Sequence, residues 1–233
     1  MEATEATEAA AVKRRCDCRI IEFLESSIGK KIMVALAGLL LCGFLVTHLL
    51  GNLFLFVGAG AFNHYAATLE HNPLLPIAEI GLTALFLIHI ALATRAWLAN
   101  RAARPVGYQS YSGKGARTPG SRSMAISGSL VLLFLIVHLR SFRFAEKAIR
   151  EADMYQLVTS AFTNPLYAGF YVLALVGVGL HLSHGFQSAF QTLGLNHPRY
   201  TPAIKKFGLA FAILVALGFA SMPIYFGFLG GAK

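Results

Sequence analysis

Residues Tyr171–Gln187 read YVLALVGVGLHLSHGFQ. Ten apolar or small residues lead into His181, and a second imidazole, His184, follows one helical turn later. Imidazole is a poor guest in hydrocarbon, so an apolar run of this length carrying histidine implies a task for the ring. The chain has 233 residues, of which 56% are hydrophobic and only 13% charged. Soluble domains carry roughly 25% charged residues, so the balance is that of a membrane protein. The net charge of +9 does not indicate nucleic acid. Lys and Arg cluster between apolar blocks, as in the cytoplasmic loops of membrane proteins.

Five runs approach the ~20 residues needed to cross a bilayer: about 32–57, 76–99, 123–144, 165–190 and 206–229. The expected fold is all-α, an integral membrane bundle of five transmembrane helices over 32–229. A cytoplasmic tail with a short amphipathic segment precedes it at 1–31, and an outer tail follows at 230–233. Asn164-Pro165 and Thr201-Pro202 each place a capping residue before a proline suited to a first helical turn. Pro223 should kink or end the last span. Basic residues set the direction: Lys13, Arg14, Arg15, Arg19, Lys30 and Lys31 precede span one, whereas Gly58–Leu75 holds no Lys or Arg. The N-terminus is therefore expected in the cytoplasm and the C-terminus outside. Trp97, Tyr108 and Tyr111 suit an aromatic belt at the inner boundary. Cys16, Cys18 and Cys42 form no disulfide framework or zinc pattern and read as reduced. The acidic, Ala-rich start lacks the features of a secretory signal and reads as a solvated tail.

Each of the first four spans holds a deep histidine: His48, His89, His138 and His181. At 1.5 Å per residue, His48 and His138 fall roughly 23 Å from the inner boundary, and His89 and His181 roughly 14 Å from it. The set divides into an outer pair and an inner pair, each drawn from two helices. Opposed imidazoles at one level suit a porphyrin iron with two axial positions. Zinc would prefer a tetrahedral set with Cys or carboxylate. A transporter would pair histidine with acids along its path, and the only deep acid is Glu79, although a histidine relay without acids stays open. Gly43, Gly51, Gly177, Gly179 and Gly185 are candidates to give a porphyrin close backbone approach.

With these ligands placed, the chain resembles the cytochrome b membrane anchor of succinate:quinone oxidoreductases (respiratory complex II and fumarate reductases), in its single-polypeptide, two-haem, five-helix form. The resemblance runs from Ser26 to Phe226. It is carried by SSIGKKIMVALAGL (26–39), HLLGNLFLF (48–56), AFNHYA (61–66), AEIGLTALFLIHIALA (78–93), NRAARP (100–105) and NPLYAGFYVLALVGVGLHLSHGFQSAFQTLG (164–194). It implies two haems b as cofactors, an inner one on His89 and His181 and an outer one on His48 and His138. It also implies a flavoprotein and an iron–sulfur subunit docked on the cytoplasmic face, for which the basic loops and the 15–25 segment are candidates. Lipid headgroups are the other explanation for those charges. Electrons would pass from the iron–sulfur subunit through both haems to a quinone, with menaquinone and net succinate oxidation expected, in a bacterial inner (cytoplasmic) membrane. A fumarate reductase anchor running in reverse, or another two-haem b-type electron-transfer subunit, is the alternative. The chain has no flavin or iron–sulfur motif, so no activity is expected alone.

The remaining site candidates follow. Glu70, in ATLEHNP (67–73), is the candidate proton group at the quinone, because related enzymes place an essential glutamate in this outer region. Asn52 lies one turn after His48 on the same face. His184 is offset about 60° from His181 around the helix, so it reads as a neighbour of the haem edge rather than a ligand. Lys31, Arg95 and Arg122 are candidates for inner propionates and Arg140 and Arg143 for outer ones, with snorkelling to headgroups as the alternative.

Overall fold

A computed structural model describes residues 22–103, 119–146 and 151–231, with backbone only at 119–122. Most of the amphipathic segment, Tyr108, Tyr111, Cys16 and Cys18 lie outside the described residues. The architecture is all-helical, with no strand among the described residues, and five helices are long and apolar enough to span a membrane.

Helix α1 (Ser27–Asn52) starts at Ser26, whose hydroxyl accepts the Gly29 N–H at 3.0 Å. It tightens into a 3-10 turn at Leu53–Phe56. Gly58 then takes φ +123°, a conformation that suits glycine, and the chain reverses into α2 (Ala59–Glu70). Helix α3 (Leu75–Ala102) follows, then α4 (Pro119–His138), α5 (Met154–Phe162), α6 (Pro165–Thr192) and α7 (Thr201–Phe228). Asn164 caps α6 as expected, accepting from Leu166 N and Tyr167 N. At α7 the expectation fails: Thr201 is already helical, and its hydroxyl accepts from His197 N and donates to Asn196 Oδ1. Nor does Pro223 end α7, which continues to Phe228.

The segments taken for outer loops contain two helices. Helix α5 carries an Asp-x-x-Gln start in which the Asp153 carboxylate accepts the Gln156 N–H at 2.8 Å, the helix-capping half of a capping box. It buries Val158, Thr159 and Phe162. Helix α2 buries Phe62 beside it. Asn63 ties the two together, donating to Asp153 Oδ1 at 3.0 Å and accepting the Tyr155 N–H at 2.8 Å. The Gln156 N–H and then Asn63 hold the Asp153 carboxyl below its ordinary range.

The long helices alternate in direction. Helix α1 packs on α3, α6 and α7, and α6 on α1, α4 and α7. Helix α3 packs closely only on α1 and buries none of its residues. One core cluster, with Leu55, Phe62, Phe142, Phe162, Tyr171 and Phe226, fills the end covered by α2 and α5, here called the upper end. A second, with Cys42, Leu175, Val178, Leu182, Ala212 and Val215, fills the middle of the bundle.

Candidate functional site

The four apolar-span histidines meet in two pairs across the bundle. His48 on α1 and His138 on α4 have ring centres 5.8 Å apart, at an interplanar angle of 86°. His89 on α3 and His181 on α6 are 6.3 Å apart at 75°. Each pair therefore joins helices that are not closely packed neighbours. Two imidazoles gripping one metal from opposite sides at about 2.0 Å per bond have ring centres about 6 Å apart. Both planes then contain the bond axis, so a near-perpendicular pair is as acceptable as a parallel one.

A ligating histidine needs its second nitrogen held, which fixes ring orientation and tautomer. All four Nδ1 atoms lie against a polar partner. His89 Nδ1 faces the Val34 carbonyl at 3.3 Å, an interaction in which the ring must donate. His181 Nδ1 lies 3.5 Å from Ser127 Oγ, whose proton is directed at the Met124 carbonyl. His138 Nδ1 lies 3.4 Å from the Tyr171 hydroxyl. His48 Nδ1 lies 3.4 Å from Asn52 Nδ2, which also donates to the His48 carbonyl at 2.8 Å. For His89, whose Nδ1 must donate, and for His181 and His138, whose Nδ1 faces a hydroxyl oxygen able to accept, Nε2 is the nitrogen left for a metal; at His48 Nδ1 faces an amide donor, which does not fix that tautomer.

The lower pair, His89 and His181, is backed by glycine. A Cβ on Gly38 would sit 3.3 Å from His89 Cε1, and one on Gly128 would sit 3.6 Å from His181 Cε1. The upper pair lies among aromatic rings, with Phe44 and Phe219 at 5.2 and 5.5 Å from His48, and Phe134 and Phe142 at 5.5 and 5.4 Å from His138.

Contacts also give the distance between levels. Gly38 and His48 on α1, Gly128 and His138 on α4, and Tyr171 and His181 on α6 each place one residue at each level, and each pair is ten positions apart. Ten helical residues rise about 15 Å, more than the difference between the depths of roughly 23 and 14 Å read from sequence. The discrepancy arises because depth was counted from hydropathy boundaries, and α1 and α4, which carry the upper pair, begin five residues before Ile32 and four before Ser123.

Among the other candidates, Asn52 lies against His48 as expected. His184 is part-buried on α6, and Lys31, Arg95 and Arg140 are exposed. The side chain of Arg122 lies outside the described set. Arg143, a candidate for an outer propionate, pairs with Glu79 on α3, through Nε to Oε1 at 2.5 Å and a second nitrogen to Oε2 at 2.8 Å. Glu70 is part-buried at the same end, and its charge acts on the same guanidinium. The chain reaches this pairing through a π-helical turn, Leu139–Arg143, directly after His138. Of the glycines singled out in the sequence, Gly51 admits Tyr65, Gly177 admits Leu130 and Gly179 admits Ala216, whereas a Cβ at Gly43 or Gly185 would meet no protein atom within 4 Å.

Sequence reading missed Val34, Gly38, Ser127, Gly128 and Tyr171. Among the described residues no group of three or more His, Cys, Asp or Glu converges on a metal position, so two-histidine sites are the arrangement present.

No protein-family model matches the chain, and no solved structure matches it significantly. Among curated proteins it is similar to the succinate dehydrogenase cytochrome b558 subunit of Bacillus subtilis. Identity is 26% over 185 residues, covering 79% of this chain and 88% of that protein. The resemblance to complex II cytochrome b anchors is thereby borne out, and the chain is a multi-pass membrane relative of that subunit.

Proposed function

We propose that this chain is the membrane anchor of a bacterial succinate dehydrogenase, holding two b haems and serving a quinone at its upper end. The observation that carries this reading is the pairing of four imidazoles from four helices at two levels, each with its Nδ1 engaged. The kinship with a succinate dehydrogenase cytochrome b subunit supports it. Haem, when bound, supplies a one-electron carrier at each level.

The chain's own residues do the rest. His89 and His181 would hold the lower iron, and His48 and His138 the upper one, each through one ring nitrogen. Lys31 and Arg95, exposed on α1 and α3 towards the lower end, are suited to carboxylates emerging there. The apolar bundle excludes water from both levels. At the upper end Glu70, beside the Glu79–Arg143 pair, is the group assigned to hold a proton for the quinone, with menaquinone as the expected substrate. The N-terminus and lower end then face the cytoplasm, where a flavoprotein and an iron–sulfur subunit dock, and α2 and α5 face outward.

A dithionite-reduced minus oxidised spectrum of the purified assembly tests this. The expected result is b-type absorption with two haems per chain, and copurifying flavin and iron–sulfur subunits with succinate:quinone activity. Colourless material would end the proposal.

A further inference from the structure

The two levels differ in what engages Nδ1. At the lower level the partners are a backbone carbonyl and Ser127, whereas at the upper level they are two larger side chains, Asn52 and Tyr171. Tyr171 is 4% exposed and belongs to the upper core. Its ring lies 5.0 Å from Phe134 and 5.1 Å from Phe162, both edge-on, so the phenol has one fixed direction. The hydroxyl sits between two groups: it lies 2.9 Å from the Tyr167 hydroxyl and 3.4 Å from His138 Nδ1. A buried phenol finds a partner for its polar end, and here that partner is a metal-pair histidine on another helix.

An imidazole bound to iron through one nitrogen carries its proton on the other, so it donates to an oxygen placed there. Accepting that proton makes the ring a stronger electron donor to the metal. The oxidised iron is the form that gains from such donation.

The geometry points to Tyr171 as a positioning residue for the upper iron: its oxygen accepts the His138 Nδ1 proton, orients that ring and holds the upper one-electron couple at a lower potential. Tyr167 assists it, because with the ring donating to the phenol oxygen the Tyr167 hydroxyl is the acceptor left for the phenol's own proton. This rests on the two-haem reading above and adds to it a means of setting the two levels apart. The aromatic cage keeps the contact dry, and Tyr167, two residues inside the upper end of α6, lies on its outer side.

The test is a potentiometric titration of the intact complex, following both haems optically. Tyr171→Phe keeps the ring and removes the oxygen; the upper couple shifts upward and the lower one stays in place. Tyr167→Phe leaves the His138 contact in place and takes away the acceptor of the phenol proton, so the phenol oxygen accepts less strongly and the upper couple moves upward by a smaller amount. Graded upward shifts of the upper couple, with the lower couple unmoved in both variants, would not come from a general loosening of the bundle. An upper couple unmoved by Tyr171→Phe, or both couples displaced together, overturns the proposal. Should Tyr171→Phe lose the upper haem, the sign given by Tyr167→Phe decides alone. Wild-type complex without haem would instead sink the parent reading, which a spectrum taken before any titration distinguishes.

Discussion

Around His89 and His181 helices come close because side chains are missing, at Gly38 and Gly128, whereas His48 and His138 sit among Phe44, Phe134, Phe142, Tyr171 and Phe219. The lower level achieves fit by backbone proximity, and the upper level by filling space with rings. Small residues let helices approach closely inside a membrane, while aromatic pairs add about 0.5–1.5 kcal/mol each beyond their buried area. The upper end has a further layer, because α2 and α5 close over it. Two sites of one chemistry thus rest on different packing, and they should fail separately.

The largest expected effect is loss of one site alone. His89→Ala or His181→Ala should reduce haem content from two to one per chain and spare the upper haem; His48→Ala or His138→Ala should do the reverse. His184→Ala should retain both, and losing one would show that the lower ligand on α6 had been misassigned. A pyridine haemochrome assay with resolved spectra reads all five variants.

Next comes a test of the glycine-built level. Gly38→Leu drives its side chain onto the His89 ring, and overpacking of this kind costs about 1–3 kcal/mol. The lower haem should be lost and the upper retained. Gly81→Leu, at a position where a Cβ meets nothing within 4 Å, should change neither.

Smaller effects belong to the upper covering. Asn63→Ala removes the bridge between α2 and α5 and leaves the Tyr155 N–H without its acceptor; a cost of about 1 kcal/mol is expected, read as faster proteolysis of that end. Glu79→Gln weakens a pair whose side chains are both 36% exposed, so about 1 kcal/mol or less is expected. The smallest effect is a pH dependence. Asp153 is held below its ordinary carboxyl range, so the folded state favours its charged form. Its contribution is complete above the unfolded value near 3.9 and fades as pH falls through the lower folded value. Protection of α5 from amide exchange should decline below about pH 4 in wild type, and Asp153→Asn should flatten that decline.

Much of the frame was legible from residues alone. The four histidines, their two levels and the five spans follow from hydropathy and a fixed rise per residue, both local properties. What escaped depends on which face meets which. Tyr171 and His138 are 33 positions apart, Val34 and His89 55, and Glu79 and Arg143 64. Nothing near Tyr171 in sequence distinguishes its hydroxyl from Tyr167's. Helix α5 did carry a local signal, Asp153 three residues before Gln156, but the charged residues ahead of it masked the helix as an outer loop. The Glu79–Arg143 pair escaped because the expected span 123–144 assumes one regular helix.

That assumption fails at five residues, 139–143, where Phe144 N bonds the Leu139 carbonyl at 2.8 Å, spanning i to i+5. A π turn holds one residue more than an α turn, so everything after it is rotated by about 100°. The guanidinium of Arg143 owes its bearing towards Glu79 to that surplus residue. Residue count between ligand and ion pair is therefore itself a coded quantity: a chain one position shorter there would keep every amino-acid type and aim its arginine elsewhere.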